Sequence, residues 1–257
     1  MRGDLKPPVL VIGGFLSSPP AYGALRARLL ARGATAVDVA PIWLPDWLLV
    51  YWRGQGPIAT RAARAVLEAS HRADGVPLLV IGHSAGGVLA RILTAEAPFA
   101  GRRFAGSSRI GAIVTLGSPH VNAWETWAPG RSGVYPAGFA NEHVPGAWFA
   151  PRVGYLSVAS RWAQARAGSR DPRERWLRRS YERIMPSPHT DVIEGDGVTP
   201  VSCALLPGAR QIVLDAAAHG QGLGHASYGS EEWVDGWWPT AIEVWRDALK
   251  VRMGTGD

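Results

Sequence analysis

Short aliphatic and β-branched runs alternate along most of the chain with segments whose apolar positions recur every three to four residues. Unbroken apolar runs bounded by glycine or proline read as strands buried on both faces, and the 3.6-residue period between them reads as covering helices. The pattern predicts strands at 9–12, 36–40, 78–81, 112–116, 153–158 and 211–214. It predicts helices at 21–31, 57–73, 87–96 and 231–251, the second opening on Pro57, which suits a first helical turn. Strand and helix in strict alternation make βαβ units, so the expected class is α/β, a compact and mostly parallel sheet of about six strands with helices on both faces.

Three segments break the alternation. Residues 41–56 carry Trp43, Trp47, Tyr51 and Trp52 with two prolines and read as irregular. Residues 119–150, rich in Gly, Pro and Trp, and 161–189, with eight arginines against three acids, read as insertions able to fold over a site as caps. A chain of 257 residues suits one domain over 1–257 with these two cap-like insertions, and is short for two α/β domains.

Composition narrows the function. The net charge is +6, but only Lys6 and Lys250 are lysines, so the basic balance reflects a general preference for arginine, and no nucleic-acid-binding motif accompanies it. Interleaved with Trp162, Trp176 and Tyr181, the arginines of 161–189 would suit weak contact with an anionic membrane surface, although a solvated helix face has the same composition. Twelve tryptophans are many, and some are expected to line a pocket or an interface. Cys203 is the single cysteine, which excludes an internal disulfide and any thiolate metal cluster. The longest apolar stretch, 42–52, is broken by Pro45 and Asp46 and falls short of a membrane span. Asp4 and two glycines spoil the N-terminus as a signal peptide, so the expected location is cytoplasmic.

The chemistry is concentrated in Gly82-His83-Ser84-Ala85-Gly86, a G-x-S-x-G sequence lying directly after the most apolar strand and directly before a helical run. That context is what makes the short motif specific, since the glycines allow a tight strand-to-helix turn that presents the serine. A serine hydroxyl needs an imidazole to take its proton, and the imidazole needs a carboxylate to fix its tautomer. With the nucleophile on such a turn, the partners follow as acid and then histidine on loops after later strands. Asp196, in the loop Glu194-Gly195-Asp196-Gly197, is the preferred acid, with Asp191 and Glu194 as alternatives and Asp215 too close to the histidine. His219 is the preferred base because it lies a few residues past the strand at 211–214, with His225 deeper in the loop. His120 follows a strand end but precedes the acid in the chain.

The negative oxygen of a tetrahedral intermediate needs two backbone donors, expected at Ala85 and at Phe15, after the close-approach pair Gly13-Gly14. Gly14, His83 and Leu16 are candidate substrate-contacting positions, although alternation along the strand aims the His83 side chain away from the serine. The chemistry calls for no metal and no cofactor.

The strand ending in Gly13-Gly14-Phe15, the turn GHSAGG, the segment TLGSPH and the loop GDGVTP resemble lipases and esterases of the α/β-hydrolase superfamily over nearly the whole chain. More narrowly, SYERI, EGDGVTPVSCALLPGARQIVLDAAAH and SYGSEEWVDGWW are similar to lipase-like α/β-hydrolases of plants and cyanobacteria. The resemblance implies Ser84 as nucleophile, Asp196 as orienting acid, His219 as base and then acid, and Phe15 and Ala85 as oxyanion donors. Many members carry His-Gly where this chain has Gly13-Gly14. The implied reaction is hydrolysis of a small-molecule or lipid ester through an acyl-enzyme. A thioesterase, an acyltransferase or a non-catalytic ligand-binding protein on the same fold are the alternatives.

Overall fold

The computed structural model describes residues 5–121, 135–185, 190–220 and 225–254. Six strands, β1 (Pro8–Ile12), β2 (Ala36–Val39), β3 (Leu78–His83), β4 (Ile110–Leu116), β5 (Gly154–Ser160) and β8 (Arg210–Leu214), form one sheet in the order β2-β1-β3-β4-β5-β8. Every pairing in it is parallel. A separate antiparallel pair joins β6 (Ala163–Arg166) to β7 (Val192–Gly195).

The sheet is buried because both faces are covered, as the unbroken apolar runs require. On one face lie α1 (Gly23–Ala31) and the C-terminal helix α9 (Trp238–Arg252), which pack Leu25, Leu29, Trp238 and Trp245 against Val9, Val11, Leu79, Ile81 and Val114. On the other lie α3 (Gly56–Arg72), α4 (Ala85–Ile92) and α5 (Pro136–His143), which bring Ile58, Val66, Val88, Leu89 and Ala137 against Leu10, Ile12, Leu78, Val80 and Ile113. Alternate residues of β1 and β3 therefore serve opposite layers, and each fully buried aliphatic side chain contributes about 1.5–3 kcal/mol.

The fold departs from the sequence reading in three places. Residues 41–56 are not irregular throughout: they hold α2 (Leu44–Arg53). Pro45 falls in its first turn, where no intrahelical N–H is needed, and the Asp46 carboxylate accepts the Trp43 N–H at 2.9 Å, so the two signals taken as breakers build a helix start. The expected single C-terminal helix is two, α8 (Glu231–Val234) and α9, separated at Gly236-Trp237, with Pro239 in the first turn of the second.

The third departure is the pair β6–β7, whose half-exposed, partly charged strands carry little apolar signal. The long helix α6 (Pro172–Ile184) packs on this pair around a small core of Ala165, Leu177, Tyr181 and Ile193. This layer occupies most of the second expected insertion, and the short α7 (Val201–Ala204) follows β7. In the first, α5 contributes Ala137 and Ala140 to the main core, and 122–134 lie outside the described residues. No helix among the described residues is long and apolar enough to cross a membrane.

Candidate active site

The turn after β3 is held by what its glycines lack. A Cβ on Gly82 would run into the backbone of Gly87, and one on Gly86 into the carbonyl of Ile12. A Cβ on Gly14 would lie 2.7 Å from Cβ of Ser84. The loop after β1 and the serine turn therefore touch only because these positions carry hydrogen. Ser84 itself has φ 52° and ψ −126°, a backbone conformation an L-residue adopts at a cost of about 1–3 kcal/mol and one that recurs at functional sites. α4 starts at once with Ala85, so the first N–H groups of that helix have no intrahelical acceptor and border the serine.

Asp196 sits in the Gly-flanked loop after β7, almost wholly buried. Its Oδ1 accepts the N–H groups of Val198 (3.0 Å) and Thr199 (2.7 Å), and its Oδ2 accepts the Nδ1–H of His219 (2.8 Å) and the hydroxyl of Tyr228 (2.8 Å). Burial by itself would raise the carboxyl pKa. The facing His219 and the loop N–H donors outweigh it and hold the group below the usual range, so it is ionised. The bond to Nδ1 fixes the His219 tautomer and leaves Nε2 as the available base. A backbone bond from His219 N to Asp196 O (2.9 Å) clips the two loops together.

Ser84 and His219 line one cavity of about 370 Å³, with Gly14, Phe15, Leu16, Ala21, Leu25, His83 and Leu116 among its other walls. Phe15 and Leu16 are 44% and 46% exposed and stand at its mouth. The wall is largely apolar. Of the described tryptophans, none lines it; Trp47 is buried edge-on against Phe15, with ring centroids 5.7 Å apart. Trp43 and Trp148 line other surface clefts, and Trp237 and Trp245 bolt the core, donating their indole N–H to Tyr228 O (2.9 Å) and Pro77 O (2.8 Å).

Each predicted site residue can now be placed. Ser84, His219, Phe15, Gly14, Leu16 and His83 share the cavity, Ala85 adjoins Ser84, and Asp196 lies behind His219. The alternatives fall away. Glu194 accepts a bond from Gln164 Nε2 (2.8 Å), Asp191 and Asp215 are exposed, and His225 packs its ring on Trp162 at 4.9 Å.

His83 also has a structural part in the site. Its Nε2–H donates to the carbonyl of His219 (2.7 Å), so Nδ1 carries the lone pair and accepts from the Tyr22 hydroxyl (2.9 Å). That hydroxyl in turn accepts the Gly14 N–H (2.8 Å). Burial, and then the neighbouring His219, pushes the His83 pKa down to about 4, which keeps the ring neutral. One ring thereby ties the loop after β1, the serine turn and the histidine loop together.

Tyr22 and Tyr228 escaped the sequence reading. Nothing local marks either one, because each acts across the fold on a residue far away in the chain.

His120 is buried on the other face of the sheet. Its Nδ1 accepts from Arg91 Nη1 (3.3 Å) and its Nε2–H donates to Thr115 Oγ1 (3.1 Å). It does not line the Ser84 cavity. Among the described residues no group of three His, Cys, Asp or Glu side chains is placed to hold a metal.

No family model and no curated protein matches the chain by sequence. Solved structures do match it by shape. The mature form of the Bacillus licheniformis lipase BlEst2 superposes with a TM-score of 0.54 at 15% identity, covering 93% of this chain and 92% of that one. Thermogutta terrifontis esterase 2, in its tabun-phosphoramylated form, gives a TM-score of 0.51 at 16% identity, covering 98% of this chain and 85% of that one. With the parallel sheet and the strand-to-helix serine turn, these likenesses establish the fold as that of the α/β-hydrolases.

Proposed function

We propose that the protein is a serine hydrolase that cleaves carboxylic esters through an acyl-enzyme. The observation that carries this reading is the buried Asp196 carboxylate bonded to Nδ1 of His219, with the other side of that ring in the same cavity as the strained Ser84. Nε2 of His219 takes the Ser84 hydroxyl proton as Oγ attacks the ester carbonyl. The oxygen that becomes negative meets the backbone N–H groups of Ala85 and Phe15. The imidazolium then returns its proton to the leaving alkoxide, and water repeats the sequence on the acyl-enzyme.

The apolar wall formed by Phe15, Leu16, Leu25 and Leu116 favours an aliphatic acyl part. A volume of 370 Å³ equals about a dozen liquid waters, which suits short to medium acyl chains.

The test is turnover of p-nitrophenyl esters from acetyl to palmitoyl by the wild type and by Ser84→Ala, with fluorophosphonate labelling of Ser84 alongside. Turnover and labelling that both vanish in the variant support the reading. Turnover that survives in Ser84→Ala, or a wild type that neither turns over nor labels, refutes it. A thioesterase or acyltransferase on the same residues would label equally and is separated by acyl-thioester substrates and by added alcohols as acceptors.

A further inference from the structure

At the end of the sheet opposite the Ser84 cavity, a cleft of about 590 Å³ lies between α3 and the loop that leads into β4. Its rim is cationic: Arg64 projects from α3, and Arg102, Arg103 and Arg109 come from the loop. No acid lines it. Glu68 and Glu96, on the neighbouring segments, are exposed but stand outside the cleft. None of the four guanidinium groups has a hydrogen bond or ion pair among the described residues, and the Thr60 hydroxyl is committed to Gly56 O at 2.9 Å. Val66, Leu67, Leu93 and Phe104 supply an apolar floor.

Two contrasts separate this cleft from the general richness in arginine. Two other surface clefts pair an arginine with an acid, Arg26 with Asp38 in one and Arg210 with Asp247 in the other. The loop is also conformationally specified: Ala100 (φ 49°), Gly101 (φ 76°) and Ala105 (φ 44°) are left-handed on either side of Arg102-Arg103, and two of these three lack glycine's freedom. A backbone held this way aims neighbouring side chains.

Four uncompensated like charges around a low-dielectric concavity repel one another and focus a positive potential into it. Planar guanidinium forks match the oxygens of a phosphate two at a time, and the apolar floor asks for a hydrocarbon body beside the charge. We infer that this cleft binds a phosphate monoester carried on an apolar body. Such a group is available in solution or at a membrane whose lipids bear it. The inference is independent of the chemistry at Ser84, with which the cleft shares no residue.

Binding is measured with the full chain at physiological ionic strength, using hexyl phosphate in solution and phosphatidylcholine vesicles with and without phosphatidic acid. The proteins are wild type, Arg64→Gln/Arg103→Gln, Arg102→Gln/Arg109→Gln, and a control on α6, Arg175→Gln/Arg179→Gln. The wild type is expected to bind hexyl phosphate, the phosphatidic-acid vesicles or both, which tells a soluble from a membrane source. Each cleft pair should weaken binding about tenfold or more, while the α6 pair leaves it unchanged. Absence of binding in both arms, or equal losses in cleft and α6 variants, overturns the inference. Unchanged p-nitrophenyl ester turnover in the cleft variants keeps this outcome separate from that at Ser84.

Discussion

Two histidine clusters lie on opposite faces of one sheet, and they differ in the sign of the charge beside them. His219 faces the Asp196 carboxylate, which carries four donors, and one ring nitrogen remains on the cavity side. His120 faces the buried guanidinium of Arg91, whose other bonds go to Ala140 O (3.2 Å), Val144 O (3.0 Å) and Asn141 Oδ1 (2.9 Å). A carboxylate stabilises an imidazolium, whereas a guanidinium forbids one: burial, helped by Arg91, drives the His120 pKa down to about 3. Arg91 is itself pushed down by burial, to about 10. Burial alone thus says little about a histidine's task. The neighbouring charge and the nitrogen left over decide whether it moves protons or fastens helices, here α4 to α5 through Arg91.

Breaking the two clusters separately should expose the difference. His219→Ala is expected to lower kcat/KM on a p-nitrophenyl ester by about 10⁴-fold or more, whereas His120→Ala stays within a few-fold of wild type in the same assay. Asp196→Asn should follow with a loss of about 10³–10⁴-fold at unchanged fold, because its amide can present N–H to Nδ1 and select the wrong tautomer. Tyr228→Phe removes one of four donors to a carboxylate that keeps the other three, and about a tenfold loss in kcat with little change in KM is expected. Equal losses from Tyr228→Phe and Asp196→Asn would mean that the phenol, and not His219, governs the carboxylate.

In stability the order reverses. His120→Ala leaves Arg91 Nη1 without its acceptor in the core and should cost about 1–3 kcal/mol in denaturant titration.

Acid supplies the finest comparison. The folded pKa of His120, about 3, lies below its ordinary 6.5, so the unfolded chain binds the extra proton first. This histidine's contribution to stability is complete above pH 6.5 and is lost as pH falls from 6.5 towards 3, by about 1.4 kcal/mol per pH unit within that window. His83 adds a fall of the same sign between 6.5 and about 4. His120→Gln should therefore flatten the slope of unfolding free energy against pH below 6.5, and an unchanged slope would exclude His120 as its source.

The sheet was legible in the sequence because each strand announces itself by local apolar runs, and the six expected strands fall on β1–β5 and β8 within two residues at either end. The serine turn was legible for the same reason, being contiguous. Asp196 and His219 were preferred on chain order and loop position, a weaker signal, and these are the two side chains the fold brings together. What escaped works through space. Tyr22 and Tyr228 reach Gly14, His83 and Asp196 by single hydroxyl bonds that leave no periodicity behind. α2 escaped because Pro45 and Asp46 are ambiguous letters, breakers inside a helix and makers at its start. The tryptophans are a divided signal because a large ring fills a gap between layers, as Trp237 and Trp245 do, as well as it lines a cleft, as Trp43 and Trp148 do.

The strand order carries a mechanical consequence. The chain leaves β1 for the sheet edge at β2 and returns past β1 to β3, so the connections after β1 and β3 depart to opposite faces. Ser84 is mounted on the α3–α4 layer, while Tyr22 and Tyr228 are rooted in the α1–α9 layer. The candidate active site is therefore a joint between two slabs, with the His83 ring as its pin. A small slip of one slab against the other would pull Ser84, His219 and Asp196 out of alignment with every strand still paired, so on gentle heating the joint should fail before the walls it connects.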